Sequence, residues 1–361
     1  MPQNKEASVD IVYLWVDGSD PIWRSKRARA SSALSPNERQ KMALYGNVEG
    51  RFRDNEELRY SLRALEKFFP DHGHIYVVTD GQSPKWLKSS PKLTMVDHRD
   101  LIPAKSLPTF DSGNIESYIH RIPGLSERFF YLNDDVFFGA PARLDDWFYP
   151  DGTYASWSDE PVVSDEPMRA DATSLENACR LSHEWLKAQS TTACVLRSDA
   201  SGHCSTENAE YQPIFRTFAH SPRPMLRSRM MRLERLAPEL FDRVRSTVFR
   251  VWDKPTIVSD FVIRWALANA QARLCQHSHL YVSAGAGDAA TLDEVLTKLV
   301  NAVGTIDFFC INDTTDNALE HDPRLRKIRQ ALDTVFPQAS PFERQHAFTL
   351  SANTDQLMSV A

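Results

Sequence analysis

No apolar run in the 361-residue sequence approaches the roughly 20 residues of a membrane-spanning helix, and the opening Met-Pro-Gln-Asn-Lys-Glu lacks the apolar region of a signal peptide. A cytoplasmic protein is expected, with peripheral attachment to the inner face of a membrane left open. Positive charge is scarce too: 42 Lys and Arg stand against 48 Asp and Glu, a formal net charge of −6, which argues against a protein whose main task is to coat nucleic acid. The five cysteines, Cys179, Cys194, Cys204, Cys275 and Cys310, form no Cys-x-x-Cys pair, and their odd number and wide spacing fit reduced thiols better than a disulfide framework. His203 beside Cys204 has no second ligand pair at zinc-finger spacing. There is no G-x-x-x-x-G-K-[ST] loop, no G-x-S-x-G elbow, no internal repeat and no low-complexity tract.

What is present is an alternation of buried strands and helices. Ile11 to Val16 is a wholly apolar run that reads as a strand buried on both faces, stopped by Asp17-Gly18-Ser19-Asp20-Pro21. Residues 22–50 show no clear periodicity and read as a lid or substrate loop. Asp54 followed by Glu57 has the form of a capping box, after which Leu58, Leu62, Leu65 and Phe69 recur at helical spacing. His74 to Thr79 and Leu93 to Val96 read as strands, with a short helix near Lys85 to Lys88 between them; Ile115, Tyr118, Ile119 and Ile122 share a helical face, and Phe129 to Asn133 is a fourth strand. Such a series specifies an α/β fold with a mostly parallel, doubly wound sheet and helices on both faces.

A single catalytic domain over 1–361 is expected, with an α/β core at 9–150, a mainly helical insertion at 151–212, the remainder of the core at 213–343 and a tail at 344–361. The insertion is acidic and Ser/Thr-rich, with one helix around Ser174 to Lys187 and no strong strand. Helices are expected near Met225 to Leu236, Thr256 to Ala270 and Arg324 to Val335, and strands at His279 to Val282 and Phe308 to Ile311.

The chemistry concentrates in Phe-Phe-Tyr-Leu-Asn-Asp-Asp-Val-Phe-Phe, residues 129–138, where two adjacent carboxylates interrupt an apolar run. Such a pair is costly to desolvate unless a cation or hydrogen bonds compensate it. Either the strand ends at Asn133 and Asp134 and Asp135 lie in a solvated turn, or the pair is a metal site at the carboxyl edge of the sheet, where open α/β folds place ligands. The placement resembles the acidic pairs with which nucleotide-sugar transferases hold Mg²⁺ or Mn²⁺ against a diphosphate, and Asn312-Asp313 repeats it after a second strand. Arg51, Arg53, Arg59, Arg121 and Arg250 are candidates for a phosphate clamp, each with an ordinary surface role as the competing reading. His220, before Ser221-Pro222-Arg223-Pro224, sits at a loop edge. Gly285-Ala286-Gly287-Asp288-Ala289-Ala290 fits the dinucleotide fingerprint, but the strand before it is short and no acidic residue ends a strand about 20 residues on, so it reads as a flexible loop.

Four ordered blocks resemble the Stealth family of sugar-phosphate transferases. They are Asp10-Ile11-Val12-Tyr13-Leu14-Trp15-Val16-Asp17-Gly18-Ser19-Asp20-Pro21; a long block from Arg51-Phe52-Arg53-Asp54-Asn55 through His120-Arg121-Ile122-Pro123-Gly124 to Asn133-Asp134-Asp135; His220-Ser221-Pro222 to Phe249-Arg250; and Phe308-Phe309-Cys310-Ile311-Asn312-Asp313-Thr314 to Pro341-Phe342-Glu343. In the third block Arg223 stands where the family commonly has an aromatic. The resemblance implies a GT-A-like sheet, a UDP-sugar donor, dependence on Mg²⁺ or Mn²⁺, a glycan or phosphoglycan acceptor open to being lipid-linked, and transfer of the whole sugar-1-phosphate with loss of UMP. On that footing Asp135 with Asn312 or Asp313 would hold the metal. Arg250, helped by Arg51 or Arg121, would offset phosphoryl charge. His220 would be the base, with Glu116 as the competing assignment, and Asp10, Trp15 and Asp17 would lie near the nucleotide or donor sugar. Capsule or surface-polysaccharide synthesis is the implied setting.

Overall fold

Alternate residues of the first strand belong to different cores: Ile11 and Tyr13 pack into one apolar cluster, Val12 and Leu14 into another. A strand apolar on both faces needs cover on both, and the sheet has it. The computed structural model describes residues 8–201, 213–285, 289–319 and 321–344. Its strands are β1 (Asp10–Leu14), β2 (Ile75–Thr79), β3 (Leu93–Asp97), β4 (Arg128–Asn133), β5 (Val136–Phe138), β6 (Phe148–Tyr149), β7 (Gly152–Ala155), β8 (Arg223–Leu226), β9 (Ala272–Leu274), β10 (His279–Ser283) and β11 (Phe308–Asn312). The central sheet has the order β3-β2-β1-β4-β8, parallel throughout except for β8, which runs antiparallel to β4 at one edge. This is the mostly parallel α/β architecture that the strand and helix pattern predicts.

The helix Glu57–Phe68 covers one face, burying Leu58, Leu62 and Leu65 at the predicted spacing. The helices Arg227–Leu236 and Pro238–Arg245 cover the other with Met230, Leu233, Leu240 and Phe241.

Two residues after β4 ends, the chain enters a different sheet. β5 pairs antiparallel with β11, which pairs parallel with β10. Asp134 and Asp135 are therefore the joint between the two sheets. Aromatic packing holds it: Phe137 stacks on Phe309 with ring centroids 4.6 Å apart, and Phe130 meets Phe138 edge to face at 5.4 Å. Both Phe130 and Phe137 are fully buried, so truncating either to Ala would cost on the order of 3–5 kcal/mol and loosen the turn.

Several local expectations differ from the structure. Residues expected to form a loop after Pro21 instead form the helix Pro21–Ala33, capped by the Asp20 side chain, and the short helix Pro36–Gln40, opened by a Ser35/Glu38 capping box. The first of these buries only Trp23 and Arg27, so it carries almost no apolar stripe to read. No helix forms at residues 85–88, and the expected helix over residues 115–122 is a short helix Ser112–Glu116 and a separate 3₁₀ turn Ile119–Arg121. Met225 belongs to β8 rather than to the helix after it. The stretch read as strandless contains β7, part of a small sheet of order β6-β7-β9, and its helix runs from Ser174 to Ser201. Among the described residues no helix is long and apolar enough to cross a membrane. Part of the Gly285–Ala290 segment lies outside the described residues.

Candidate active site

The turn at Asp134 and Asp135 is half-buried rather than solvated, and it is crowded with acid. Burial, then Asp135, Glu57 and Asp54, push the Asp134 carboxyl well above the usual carboxylate range. Burial and Asp54 raise Glu57 to about 8, and burial raises Asp54 to about 6. Asp135 is likewise pushed by burial to about 6, even though Asn312, Cys310 and the Arg51 guanidinium favour its ionised form. Its Oδ2 accepts from Asn312 Nδ2 at 3.2 Å and from Cys310 Sγ at 3.6 Å, whereas Oδ1 is buried with no hydrogen-bond partner. Burial and like charge thus disfavour the ionised forms in this turn, and a cation placed there would favour them.

Cations line the other side. Arg51 feels Arg250, Asp111, Glu116 and Asp135; burial and the neighbouring Arg250 lower it to about 9, and its Nε is buried without a partner. Arg250 is held by Ser112 Oγ, which accepts from Nη2 at 2.7 Å, and by Asp111, whose Oδ1 lies 3.7 Å from Nε. Asp111 is wholly buried, 2.9 Å from the equally buried Lys254 ammonium, and accepts from the Thr247 hydroxyl at 2.7 Å. His220 lies against the Tyr281 ring at 5.4 Å; burial, Arg223 and Arg250 lower it to about 4, so the imidazole is neutral near pH 7. Glu116 is buried: Oε1 accepts from the Tyr131 hydroxyl at 3.0 Å, and Oε2 has no partner.

The site thus brings together Asp135, Asn312, Arg51, Arg250, His220 and Glu116. Asp10 lies at the opposite end of β1, where its two oxygens accept from the backbone N–H groups of His74 and Ser126, each at 2.8 Å, and tie two turns of the sheet's amino edge. Arg121 pairs with Glu234, which also holds His120 and Arg245. Asp313 is engaged by Arg53 and by the Thr315 backbone and hydroxyl at 2.9 and 2.6 Å, and Arg59 pairs with Glu343 at 2.5 Å. Asp10, Arg121 and Asp313 therefore bind parts of this fold, and of the five arginines offered as a clamp Arg51 acts on Asp135 and Arg250 stands beside Arg51.

Beyond the ends of β1 and β2 lies a cleft of about 450 Å³ lined by Trp15, Asp17, Trp23, Lys26, Asp54, Gln82 and Trp86, among others. Asp54 is itself one of the lining residues, so the cleft opens beside the acidic turn. The Asp17 carboxylate accepts from the Ser19 backbone N–H at 2.8 Å and hydroxyl at 2.6 Å, and Gln82 clasps the Asp17 backbone through two hydrogen bonds.

Three donors among His, Cys, Asp and Glu do not converge as a closed metal cage among the described residues. Mg²⁺ needs no such cage, because it is commonly held by one or two carboxylates with water and substrate phosphate completing six oxygens. The free Oδ1 of Asp135, in an uncompensated acidic turn, fits that use.

Residues that sequence reasoning left unassigned complete the site: Asp54 and Glu57, read as helix caps, and Asp111, Lys254 and Arg223. Asp54 and Glu57 had a readable sign, since both belong to the block that ends in Asp134-Asp135. Nothing in the sequence marks Lys254 as buried.

Residues 8–35, 51–156 and 304–352 match the models of Stealth protein conserved regions 1, 2 and 4, together about half of the chain. An exopolysaccharide phosphotransferase of Streptomyces coelicolor is 33% identical over 339 residues, covering 93% of this chain and 33% of that protein. Exopolysaccharide phosphotransferase CpsY of Mycobacterium tuberculosis is 31% identical over 338 residues, 93% of this chain and 58% of that one. A capsular polysaccharide phosphotransferase of Actinobacillus pleuropneumoniae is 42% identical over 162 residues, 44% of this chain and 43% of that one. The chain thus spans from about a third to somewhat over half of the length of these relatives. Fold and site define an α/β protein with an acidic turn at the carboxyl edge of a parallel sheet. It belongs to the Stealth family. His220 and Arg250 lie outside the three matched stretches.

Proposed function

We propose that this chain transfers a hexose or N-acetylhexosamine 1-phosphate from a UDP-sugar to a glycan hydroxyl, releasing UMP and forming phosphodiester-linked capsular or surface polysaccharide. The observation that carries the reading is a buried acidic turn whose Asp135 stands within reach of the Arg51 guanidinium, with Arg250 and a neutral imidazole beside it. The printed names of the relatives, phosphotransferases of capsular polysaccharide and exopolysaccharide, support the reaction class.

The acceptor oxygen attacks the sugar-bearing β-phosphorus, the bond from that phosphorus to the bridging oxygen breaks, and UMP leaves with that oxygen. The sugar C1–O bond stays intact. Mg²⁺ or Mn²⁺, when held by Asp135 with Asn312 and Asp134, supplies neutralisation of the diphosphate charge. Arg51 and Arg250 offset the charge spread over the transferred phosphoryl, the dominant task in such reactions. His220 takes the hydroxyl proton at a ring nitrogen. Burial and two neighbouring guanidiniums lower its proton affinity, and a bound diphosphate offsets the guanidinium charge and makes the imidazole a stronger base. Glu116, buried next to Tyr131, is the competing base. The tryptophan-lined cleft takes the uridine. We place the reaction in the cytoplasm, at the inner membrane face when the acceptor is lipid-linked.

The test is a screen of UDP-sugars against short glycan and phosphoglycan primers, following nucleotide release. UMP supports phosphotransfer, UDP indicates ordinary glycosyl transfer, and donor binding with no turnover on any primer indicates a nucleotide-sugar-binding protein.

A further inference from the structure

Arg223 is only 5% exposed, yet its guanidinium makes no hydrogen bond and no ion pair among the described residues. Other arginines buried to the same degree are all spoken for. Arg27 bonds Asn47 and Glu49, Arg63 bonds Glu343 and the Phe336 carbonyl, Arg180 bonds Ser164 and Asn177, Arg229 bonds Thr153 and the Gln271 carbonyl, and Arg264 bonds Asp260. A guanidinium carries five donors in a fixed fork, and this one is not sealed off, since the wholly buried unpartnered atoms include Arg51 Nε and Arg229 Nε but no nitrogen of Arg223. Among the described residues those five are paired and this fork is left open.

Its surroundings say where that partner sits. Arg223 is the β8 residue in register with Tyr131 of β4, so the two project from the same face of the sheet. It acts electrostatically on His220, Glu116, Tyr131 and Cys310. Glu116 does not neutralise it by contact: no oxygen of that carboxylate lies within ion-pair distance, and Glu116 Oε2 is itself buried without a partner. Arg250 is the other guanidinium that acts on His220, and it is tied to Ser112 and Asp111, whereas the Arg223 fork beside the same base has no partner among the described residues. The open fork therefore flanks the base.

We propose that Arg223 is the anchor of a separate oxyanion site for the acceptor: the glycan that enters beside His220 carries a negative group, a phosphodiester or a carboxylate, next to its attacking hydroxyl. A planar fork suits both groups, since each presents two oxygens at matching spacing. The inference rests on the proposed function for the word acceptor, but the anion site itself stands on the geometry of Arg223.

The experiment fills the donor side first. With UDP and Mg²⁺ saturating, both phosphoryl positions of the donor are occupied, and glycerol phosphate and glucuronate are titrated in turn, followed by ³¹P or ¹H NMR of the small anion. The wild-type chain binds one further anion; Arg223→Met weakens it by about tenfold or more, and Arg223→Lys, which keeps the charge but loses the fork, falls between them. Preference for glycerol phosphate identifies a phosphoglycan acceptor, and preference for glucuronate an acidic sugar. Without ligand, Arg223→Met melts no lower than wild type, because the guanidinium holds no partner among the described residues. The site is overturned if Arg223→Met binds the second anion as wild type does, if wild type takes none beside UDP, or if Arg223→Met melts lower or does not fold while Arg223→Lys behaves as wild type. UDP binding in the same titration tests the donor reading separately: anion binding that depends on Arg223 in a chain that does not bind UDP keeps the site and removes the donor assignment.

Discussion

Asn312 donates its side-chain amide to Asp135 across 3.2 Å, linking the end of β11 to the turn between β4 and β5. That bond takes one carboxylate oxygen of Asp135 and leaves the other buried and open. The joint between two sheets and the strongest candidate metal ligand are the same residue. Exchange of that carboxylate for an amide separates the two roles, because Asn keeps the shape of Asp and loses its charge.

Asp135→Asn is therefore expected to abolish metal-dependent donor turnover while raising the melting temperature of the metal-free protein by a few degrees. In wild type, excess Mg²⁺ or Mn²⁺ raises the melting temperature by mass action, and the variant loses that increment. Parallel thermal melts with and without metal check both halves.

The same carboxyl gives a signed pH dependence. Unfolded, Asp135 ionises near 3.9; folded and metal-free, at about 6. Between those values the native state holds a proton that the unfolded chain has lost, so stability falls as pH rises through that window. Relative to Asp135→Asn, wild type should lose on the order of 2 kcal/mol between pH 4 and pH 7. Urea unfolding of both proteins at several pH values, without metal, measures the difference, and a gap that stays constant contradicts the raised carboxyl.

Asp111 holds two cations at once, the Lys254 ammonium at 2.9 Å and the Arg250 guanidinium at 3.7 Å. Asp111→Ala leaves a buried ammonium uncompensated and should cost about 3–5 kcal/mol. Lys254→Met in the same background should restore part of that loss, because the stranded charge is then removed. Denaturant unfolding of the two singles and the double gives the coupling.

Legibility in the sequence followed the physics of each element. The strands β1, β2 and β4 are readable because both of their faces are covered, so they appear as continuous apolar runs such as Ile11 to Val16, whereas the edge strand β8, with Arg223 and Pro224, carries no such run. The helix Glu57–Phe68 was readable because it has a polar side and an apolar side. The helix Pro21–Ala33 was not, since Trp23 and Arg27 are its only buried residues and leave no apolar stripe to read. At the site, Asp134-Asp135 stood out because charge inside an apolar run is costly. Arginines carried no such mark. Arg51 and Arg53 are two residues apart, yet one faces the acidic turn and the other binds Asp313, and only the turn Gly50–Phe52 decides which. Asp10 was misplaced for a related reason: the family block that contains it runs the length of β1, and a strand has two ends.

His220, lowered to about 4 by burial and its guanidinium neighbours, sets an expectation for the rate profile. At saturating Mg²⁺, which keeps the carboxylates ionised, the acid limb of kcat/KM reports the free enzyme's base and should lie well below the 6.5 of an ordinary histidine. His220→Ala should lower kcat by about 100-fold or more with little change in donor binding. A limb that persists unchanged in the variant transfers the role of base to Glu116.

Phosphotransfer and glycosyl transfer differ in the bond they break: the first cleaves the bond from the β-phosphorus to the bridging oxygen, the second the sugar C1–O bond. Incubation of the protein with a UDP-sugar labelled with ³²P in the β-phosphate, Mg²⁺ and an accepting primer decides between them. Phosphotransfer predicts unlabelled UMP and label in the glycan; labelled UDP with an unlabelled glycan contradicts it.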